Sequence, residues 1–261
     1  MTSRYDFSFS NKVIKAINTK IIGKNIYHFR TIDSTNLYAK TLVKKGIPEG
    51  TVVIADTQMK GRGRKERIWD SPPGGLWFSV ILYPNIHPDQ AMLITMTAAV
   101  SIAEAVKKVT DLNPEIKWPN DIIIKGKKLC GILTELESEM NLIKYVVIGI
   151  GINVNNKINA DLLKIAISIN ELKGIDISCT DLFHEILKKF DYYYQQFISK
   201  KYGDIRKIWF SFSKIIGKKV KIQEDGNILS GKVYDIDENG YLILYTSKGK
   251  VRITNGDIKY L

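Results

Sequence analysis

The sequence predicts an α+β fold: a mixed, mostly antiparallel sheet flanked by helices, followed by a small C-terminal SH3-like β-barrel. Three observations carry this. Between residues 76 and 150, short apolar runs are separated by tight turns, so hairpins outnumber helical crossovers. Helical spacing of apolar residues is confined to a few segments that flank those runs. From Gly217 onward the composition shifts to short strands punctuated by hairpin turns.

Each element has a local reason. Residues 1–24 are polar, with a weak amphipathic patch at Val13, Ile14 and Ile17; the stretch is too short for a helix-turn-helix DNA-binding domain and a linker. Residues 27–31 read as a strand, and Ser34, Thr35 and Asn36 are N-cap candidates for a helix over 37–45. A capped helix start also offers free N–H groups to anions. Breakers over 46–50 make a turn, and β-branched residues over 51–55 a strand. After a turn over 71–75, the continuous apolar run 76–83 reads as a central strand. Met92, Met96, Ala99, Ile102, Ala103 and Val106 recur at helical spacing and predict a helix over 89–109. A strand over 115–118 ends at Pro119-Asn120-Asp121. Residues 122–124, 129–135 and 142–150 then alternate with turns at Gly126 and 138–141.

The apolar face Phe183, Ile186, Leu187, Phe190, Tyr193, Tyr194 and Phe197 predicts a core-facing helix over 180–201, and another helix covers 203–212. Strands over 220–223, 229–236, 241–246 and 251–253 are joined by turns at Asp225-Gly226-Asn227, Glu238-Asn239-Gly240 and Ser247-Lys248-Gly249. The chain thus divides into a domain over 1–214 and one over 215–261. The second is too small for a sizeable core and is expected to pack on the first.

Of 261 residues, 44% are hydrophobic and 25% charged, which favours a packed core over disorder. The net charge of +12 would attract nucleic acid, a nucleotide or an acidic protein, without choosing among them. The lysines are scattered along the whole chain, as composition bias or thermal adaptation would also scatter them. Cys130 and Cys179 are far apart with no CxxC, which argues against a disulfide framework or a cysteine zinc site; both read as small buried hydrophobes. His28, His87 and His184 form no HExxH. The early charges exclude a signal peptide, and no apolar run approaches the ~20 residues of a membrane span. A soluble cytoplasmic protein is expected.

One loop draws the rest together. Between Gln58 and Trp69 stand Lys60, Arg62, Arg64, Lys65 and Arg67, with Gly61 and Gly63. Glycine permits φ > 0 and close approach to a ligand, and guanidinium forks match phosphate or carboxylate oxygens. The combination suits a polyanion that carries an aromatic ring, ATP and RNA alike; a charge run alone also fits a solvated surface loop.

Four polar clusters lie at strand ends or a helix start, where ligands usually bind: Ser34-Thr35-Asn36, Gln58 to Trp69, Lys117-Trp118-Pro119-Asn120-Asp121, and Lys127-Lys128-Leu129-Cys130-Gly131. Hydroxyls and amides can bind a neutral polar head; Arg62, Arg64, Arg67 and Lys128 can neutralise phosphates; Asn120 and Asn153 are suited to a base or a metal-bound water. No Ser-His-Asp set, Cys-His pair or hydrolase carboxylate pair is legible. The chemistry expected is charge stabilisation between two bound substrates, as in phosphoryl or nucleotidyl transfer.

In this order and spacing, the sequence resembles the biotin–protein ligases. The resemblance rests on Asp33-Ser34-Thr35-Asn36, Gln58, Gly61-Arg62-Gly63-Arg64 ahead of Trp69, Lys117-Trp118-Pro119-Asn120-Asp121, Lys128-Leu129-Cys130-Gly131-Ile132-Leu133, and Gly149-Ile150-Gly151-Ile152-Asn153. It covers most of 27–154, and the barrel-like tail fits the family's C-terminal domain. It implies a class II synthetase-like catalytic domain, with biotin and ATP as substrates and Mg²⁺ accompanying ATP. Biotinyl-5′-AMP would form first, and biotin would then pass to a lysine of a biotin carboxyl carrier domain of a biotin-dependent carboxylase.

By the same resemblance, Ser34, Thr35, Asn36 and Gln58 bind the biotin ring. Gly61, Arg62, Gly63 and Arg64 cover biotin and the adenylate phosphate, with Gly131 on the biotin side. Arg67, Trp69, Asn120 and Asn153 serve ATP, Trp69 as an adenine platform. Lys128 reaches the biotin carboxylate and the α-phosphate, with Arg64 and Asp121 as further catalytic groups and Asp121 accepting a proton from the attacking amine. No metal ligand is assigned. Glu66 and Ile68 depart from the family loop, which often has a glycine or another basic residue there, and Cys130 takes a small-residue position. Relatives often pair strands into homodimers, whereas specific DNA binding is not expected. A lipoate–protein ligase is the rival within the fold, and an RNA-binding module the rival of another class.

Overall fold

The computed structural model describes residues 17–224 and 227–261. The readings at Val13, Ile14 and the Asp225-Gly226 turn lie outside them. Seven strands form the main sheet: β1 (Ile26–Ile32), β2 (Val52–Gln58), β3 (Leu76–Leu82), β4 (Glu115–Lys117), β5 (Asp121–Ile124), β6 (Lys127–Glu139) and β7 (Leu142–Ile152), in the order β1-β2-β3-β7-β6-β5-β4. β1 and β2 pair in parallel, and every other neighbouring pair is antiparallel. The parallel pair needs a crossover, which α1 (Thr35–Val43) supplies. The remaining helices are α2 (Ala91–Thr110), α3 (Ile169–Lys173), α4 (Cys179–Ile198) and α5 (Tyr202–Phe212).

The two faces of the sheet are unlike. Leu76, Phe78, Val80 and Leu82 of β3 turn toward the large core that α2 and α4 cover, where Phe78 and Phe183 meet edge to face at 5.2 Å. Ile81 of β3 turns the other way and joins Val53, Val147, Ala39 and Leu42 in a smaller core beneath α1. Among the described residues this one short helix covers only part of that face, and the rest is left for a site.

Local chemistry moves several boundaries. The first helix begins at Thr35, and Ser34 is its N-cap by position but makes no side-chain capping bond. The expected capping role of Ser34 is therefore not what the structure shows. The helix expected over 89–109 opens as a separate 3₁₀ turn at Pro88–Gln90, which His87 caps, before α2 proper. α3 and the strand β12 (Asp257–Tyr260) are too short for their periodicity to be read.

The C-terminal strands β8 (Lys219–Glu224), β9 (Asn227–Ile236), β10 (Leu242–Thr246) and β11 (Gly249–Ile253) form with β12 an antiparallel sheet in the order β11-β10-β9-β8-β12. The last strand returns beside the first, the order an SH3-like barrel uses. Val220, Ile222, Val233, Ile236, Leu242 and Leu244 join the large core, and Trp118 Nε1 donates to the Gly240 carbonyl at 3.0 Å.

Candidate active site

Glycines open the uncovered face. Gly131 pairs with Gly151 and Leu133 with Gly149 across β6 and β7. A Cβ at Gly149 would lie 2.2 Å from Asn36 Oδ1, and one at Gly151 2.2 Å from Trp69 Nε1. At Gly131 it would meet the Trp69 ring at 3.0 Å and Lys128 Nζ at 3.1 Å. Bare backbone here leaves room for the polar side chains of α1 and the Gly/Arg loop to lie against the sheet. Between them is a cavity of about 520 Å³.

A β-bulge aims Lys128 into that cavity. β5 and β6 pair Asp121 with Gly131 and Ile122 with Cys130, then shift so that Ile123 opposes Lys128. The extra residue, Leu129, is fully buried in the core. In a regular strand Lys128, two residues from Cys130, would share its core face; the bulge turns both Leu129 and Cys130 to the core and so puts Lys128 beside Gly131 and Asp121. Lys128 Nζ lies 2.7 Å from Asp121 Oδ1 and 5.0 Å from the centroid of the Trp69 ring. The segment after β7 grips the lysine's main chain: Lys128 N–H donates to the Ile165 carbonyl at 2.7 Å, and Ile167 N–H to the Lys128 carbonyl at 3.0 Å. Cys130 faces the core, and burial raises its thiol far above the ordinary range.

The start of α1 carries a continuous polar network. Gln58 Oε1 accepts from the Thr35 backbone N–H at 2.8 Å and from Thr35 Oγ1 at 3.0 Å, while Gln58 Nε2 donates to Ser71 Oγ at 2.9 Å. Gln58 thereby satisfies one of the orphan N–H groups of the helix start, that of Thr35. Ser79 Oγ lies 2.6 Å from Asn36 Oδ1 and 2.7 Å from Thr35 Oγ1. Asn36 Nδ2 donates to Glu135 Oε2 at 2.8 Å.

In the Gly/Arg loop, the left-handed conformations fall on Lys65 (φ 54°) and Glu66 (φ 57°), not on the glycines. Gly61 is required for close approach instead: a Cβ there would lie 2.2 Å from the Trp69 carbonyl oxygen. The arginines reach separate partners. Arg62 approaches Glu135 and Glu66 at 3.4 and 3.2 Å. Arg64 donates to Asn120 Oδ1 at 2.9 Å, to the Gly256 carbonyl at 3.1 Å and to Asn255. Arg67 pairs with Asp257 at the start of β12. Burial lowers the Arg64 pKa, against the opposing charges of Asp257 and Asp121. Asn120 also donates to the Ile132 carbonyl at 2.6 Å, and Asn153 accepts from Asn156 at 3.0 Å.

Ser34, Thr35, Asn36, Gln58, Arg62, Gly63, Arg64, Arg67, Trp69, Asn120, Asp121, Lys128, Gly131 and Asn153 all line this one cavity. Gly61 does not; it is buried behind Trp69. Sequence reasoning missed Ser71, Ser79, Glu135, Asp257 and the wall formed by Leu162, Ile165 and Ala166. Ser79 did leave a signal, as the one hydroxyl in the buried run of β3.

Residues 28–153 match the Biotin/lipoate A/B protein ligase family, and residues 215–259 match the Biotin protein ligase C terminal domain. A curated relative, the Bifunctional ligase/repressor BirA of Bacillus subtilis, is 35% identical over 247 residues, which cover 93% of this chain and 76% of that protein. The chain belongs to the biotin protein ligases. The Biotin--[acetyl-CoA-carboxylase] ligase of Paracoccus denitrificans is 26% identical to this ligase, over 87% of its chain and 96% of the relative. Among solved structures, the biotin protein ligase from Aquifex aeolicus in complex with biotin and ATP has a TM-score of 0.78 and 28% identity, covering 91% of this ligase and 99% of that chain. Among the described residues, no helix of the ligase is long and apolar enough to cross a membrane.

Proposed function

We infer that this ligase joins biotin and ATP into biotinyl-5′-adenylate and then transfers biotin to a lysine of a biotin carboxyl carrier domain. The observation that carries the reading is the convergence of Lys128, Arg62 and Arg64 on the cavity that also exposes Ser34, Thr35 and Gln58. In the first step a biotin carboxylate oxygen attacks the α-phosphorus and pyrophosphate leaves. In the second, the acceptor amine attacks the acyl carbon and AMP leaves. Both nucleophiles arrive with substrates, so the protein's part is orientation and charge.

Ser34, Thr35 and Gln58 hydrogen-bond the biotin ring over the glycine floor. Lys128, oriented by Asp121, faces the carboxylate and α-phosphate, and Arg62 and Arg64 line the same cavity. Arg67, Asn120, Asn153 and the Trp69 ring serve the nucleotide. Asp121 takes the proton from the acceptor amine. Mg²⁺ would accompany ATP, resting chiefly on its phosphate oxygens, and would supply charge neutralisation at the leaving pyrophosphate. Among the described residues no group of three His, Cys, Asp or Glu could form a protein cage for it, and Mg²⁺ usually binds through phosphates and few protein ligands. The catalytic domain spans 1–214 and the C-terminal domain 215–261, in a cytoplasmic enzyme. A homodimer would form by strand pairing at an edge of the main sheet, β1 or β4.

Biotin-dependent ATP–pyrophosphate exchange tests the first step, and mass measurement of an apo carrier domain incubated with the ligase, biotin and ATP tests the second. Exchange with lipoate and not biotin would replace the substrate. Exchange with neither, together with salt-sensitive retention of RNA, would sink the ligase reading.

A further inference from the structure

Glu135 stands on β6 two residues beyond Leu133, which lines the cavity, but lies outside that lining itself. Its side chain is only 17% exposed, and its two oxygens are divided. Oε2 accepts from Asn36 Nδ2 at 2.8 Å. Oε1 accepts from Lys40 Nζ at 2.7 Å and lies 3.4 Å from Arg62 Nη1. Asn36, expected from the sequence to bind the biotin ring, thus uses both ends of its amide inside the protein, on Ser79 and on Glu135. Arg62, for its part, is shared between half-buried Glu135 and Glu66, whose side chain is 86% exposed on the same loop.

We propose that Glu135 is a positioning residue that links occupation of the biotin subsite to seating of the Gly/Arg loop, through Asn36 on one side and Arg62 on the other. The proposal rests on the ligase reading above. A ring seated against Ser34–Asn36 removes water from the Asn36 amide and from Glu135, which Asn36 holds behind the lining. An ion pair is stronger in that drier surrounding, so Glu135 then wins Arg62 from Glu66. Lys40 competes for the same carboxylate oxygen and sets how firmly Arg62 is held.

The loop presents Lys60, Arg62, Arg64, Lys65 and Arg67 to trypsin, so its seating can be read as a nicking rate on the full chain. In the unmodified ligase, saturating biotin should slow nicking about tenfold. Glu135→Gln keeps an acceptor for Asn36 but loses the charge that holds Arg62. It should be nicked equally fast with and without biotin, with biotin KM raised about tenfold and kcat at saturation changed less than about threefold. Lys40→Met should act in the opposite direction: with its competitor gone, Arg62 binds Glu135 more firmly and the loop is protected at lower biotin. A purely structural Glu135 would not reverse sign between these variants, and Lys40→Met keeps the test decisive if Glu135→Gln fails to fold. Biotin protection within about twofold of the unmodified protein in the variants that fold overturns the coupling alone. Absence of biotin-dependent exchange in the unmodified chain overturns the ligase reading and the coupling with it.

Discussion

In the proposed mechanism, removing the Lys128 ammonium takes a charge-assisted donor from the phosphorus at which negative charge accumulates. Loss of such a bond costs about 1.5–3 kcal/mol, and more in a site closed to water. Lys128→Ala should therefore block biotin-dependent pyrophosphate exchange, whereas Arg64→Ala should let adenylate form and escape, seen as faster release of labelled biotinyl-adenylate on a filter. Normal exchange in Lys128→Ala would remove it from the mechanism. The glycines divide the cavity in a testable way. Gly149→Ala would press on Asn36 and should raise the biotin KM, while Gly151→Ala would press on Trp69 and should raise the ATP KM. Each shift should be about tenfold or more, because the fixed backbone of β7 cannot give way; steady-state kinetics with each substrate varied separates them. Lys128 and the arginines were legible as residues, since cations beside glycines are a local pattern. Glu135 was not, one polar residue among several in β6, and Ser79 left only the signal of a lone hydroxyl in β3; the use of each depends on which face its strand turns.

The loop between Gln58 and Trp69 lines the cavity, but with a backbone conformation other than the one expected. Its glycines were expected to supply the left-handed backbone, yet Lys65 and Glu66 adopt it. A left-handed residue with a Cβ costs roughly 1–2 kcal/mol. Glu66→Gly should recover part of this, raising the unfolding free energy of the full chain by about 0.5–1 kcal/mol after the added chain entropy is offset, read as a higher urea midpoint. It also removes the exposed competitor for Arg62, so loop nicking at a given biotin concentration should fall. An unchanged or lower midpoint would mean that the left-handed turn carries no strain worth relieving. The departure of Glu66 from the family loop was visible in the sequence; its backbone consequence was not, because φ depends on the closed loop and not on the residue.

Across the molecule, the two sheets are tied through the site. Arg64 and Arg67 of the loop hold Asn255, Gly256 and Asp257, and Trp118 holds Gly240. Two carboxylates make stability depend on pH: Asp257 in these ties, and Glu135 where β6 meets α1 and the loop. For Glu135, burial alone raises the pKa, but hydrogen bonds from Lys40 and Asn36 and the charges of Lys40 and Arg62 outweigh it, leaving the pKa below its ordinary 4.5. For Asp257, burial is likewise outweighed by Arg67, Arg64 and Lys65, and the pKa lies below 3.8. The folded state therefore favours both ionised forms. Their stabilisation is fully present above the ordinary carboxyl pKa values and is lost as pH falls through the depressed ones. The urea midpoint should fall between pH 7 and about 3, and Glu135→Gln with Asp257→Asn should flatten that fall. An equally steep fall in the double variant would refute the assignment.

Short-range pattern was enough to settle the α+β class, most strands and helices, the hairpin-rich tail and the family, because periodicity, turn chemistry and clustered motifs are properties of neighbouring residues. What folding alone supplied is the side of the sheet on which each group acts. Lys128 points into the cavity because one buried leucine shifts a register; Gly61 stands behind the wall and not on it; Asp257 meets the loop from a strand too short to announce itself. Register, bulges and pairings between distant segments reflect how whole faces pack, and no local window of sequence contains that information.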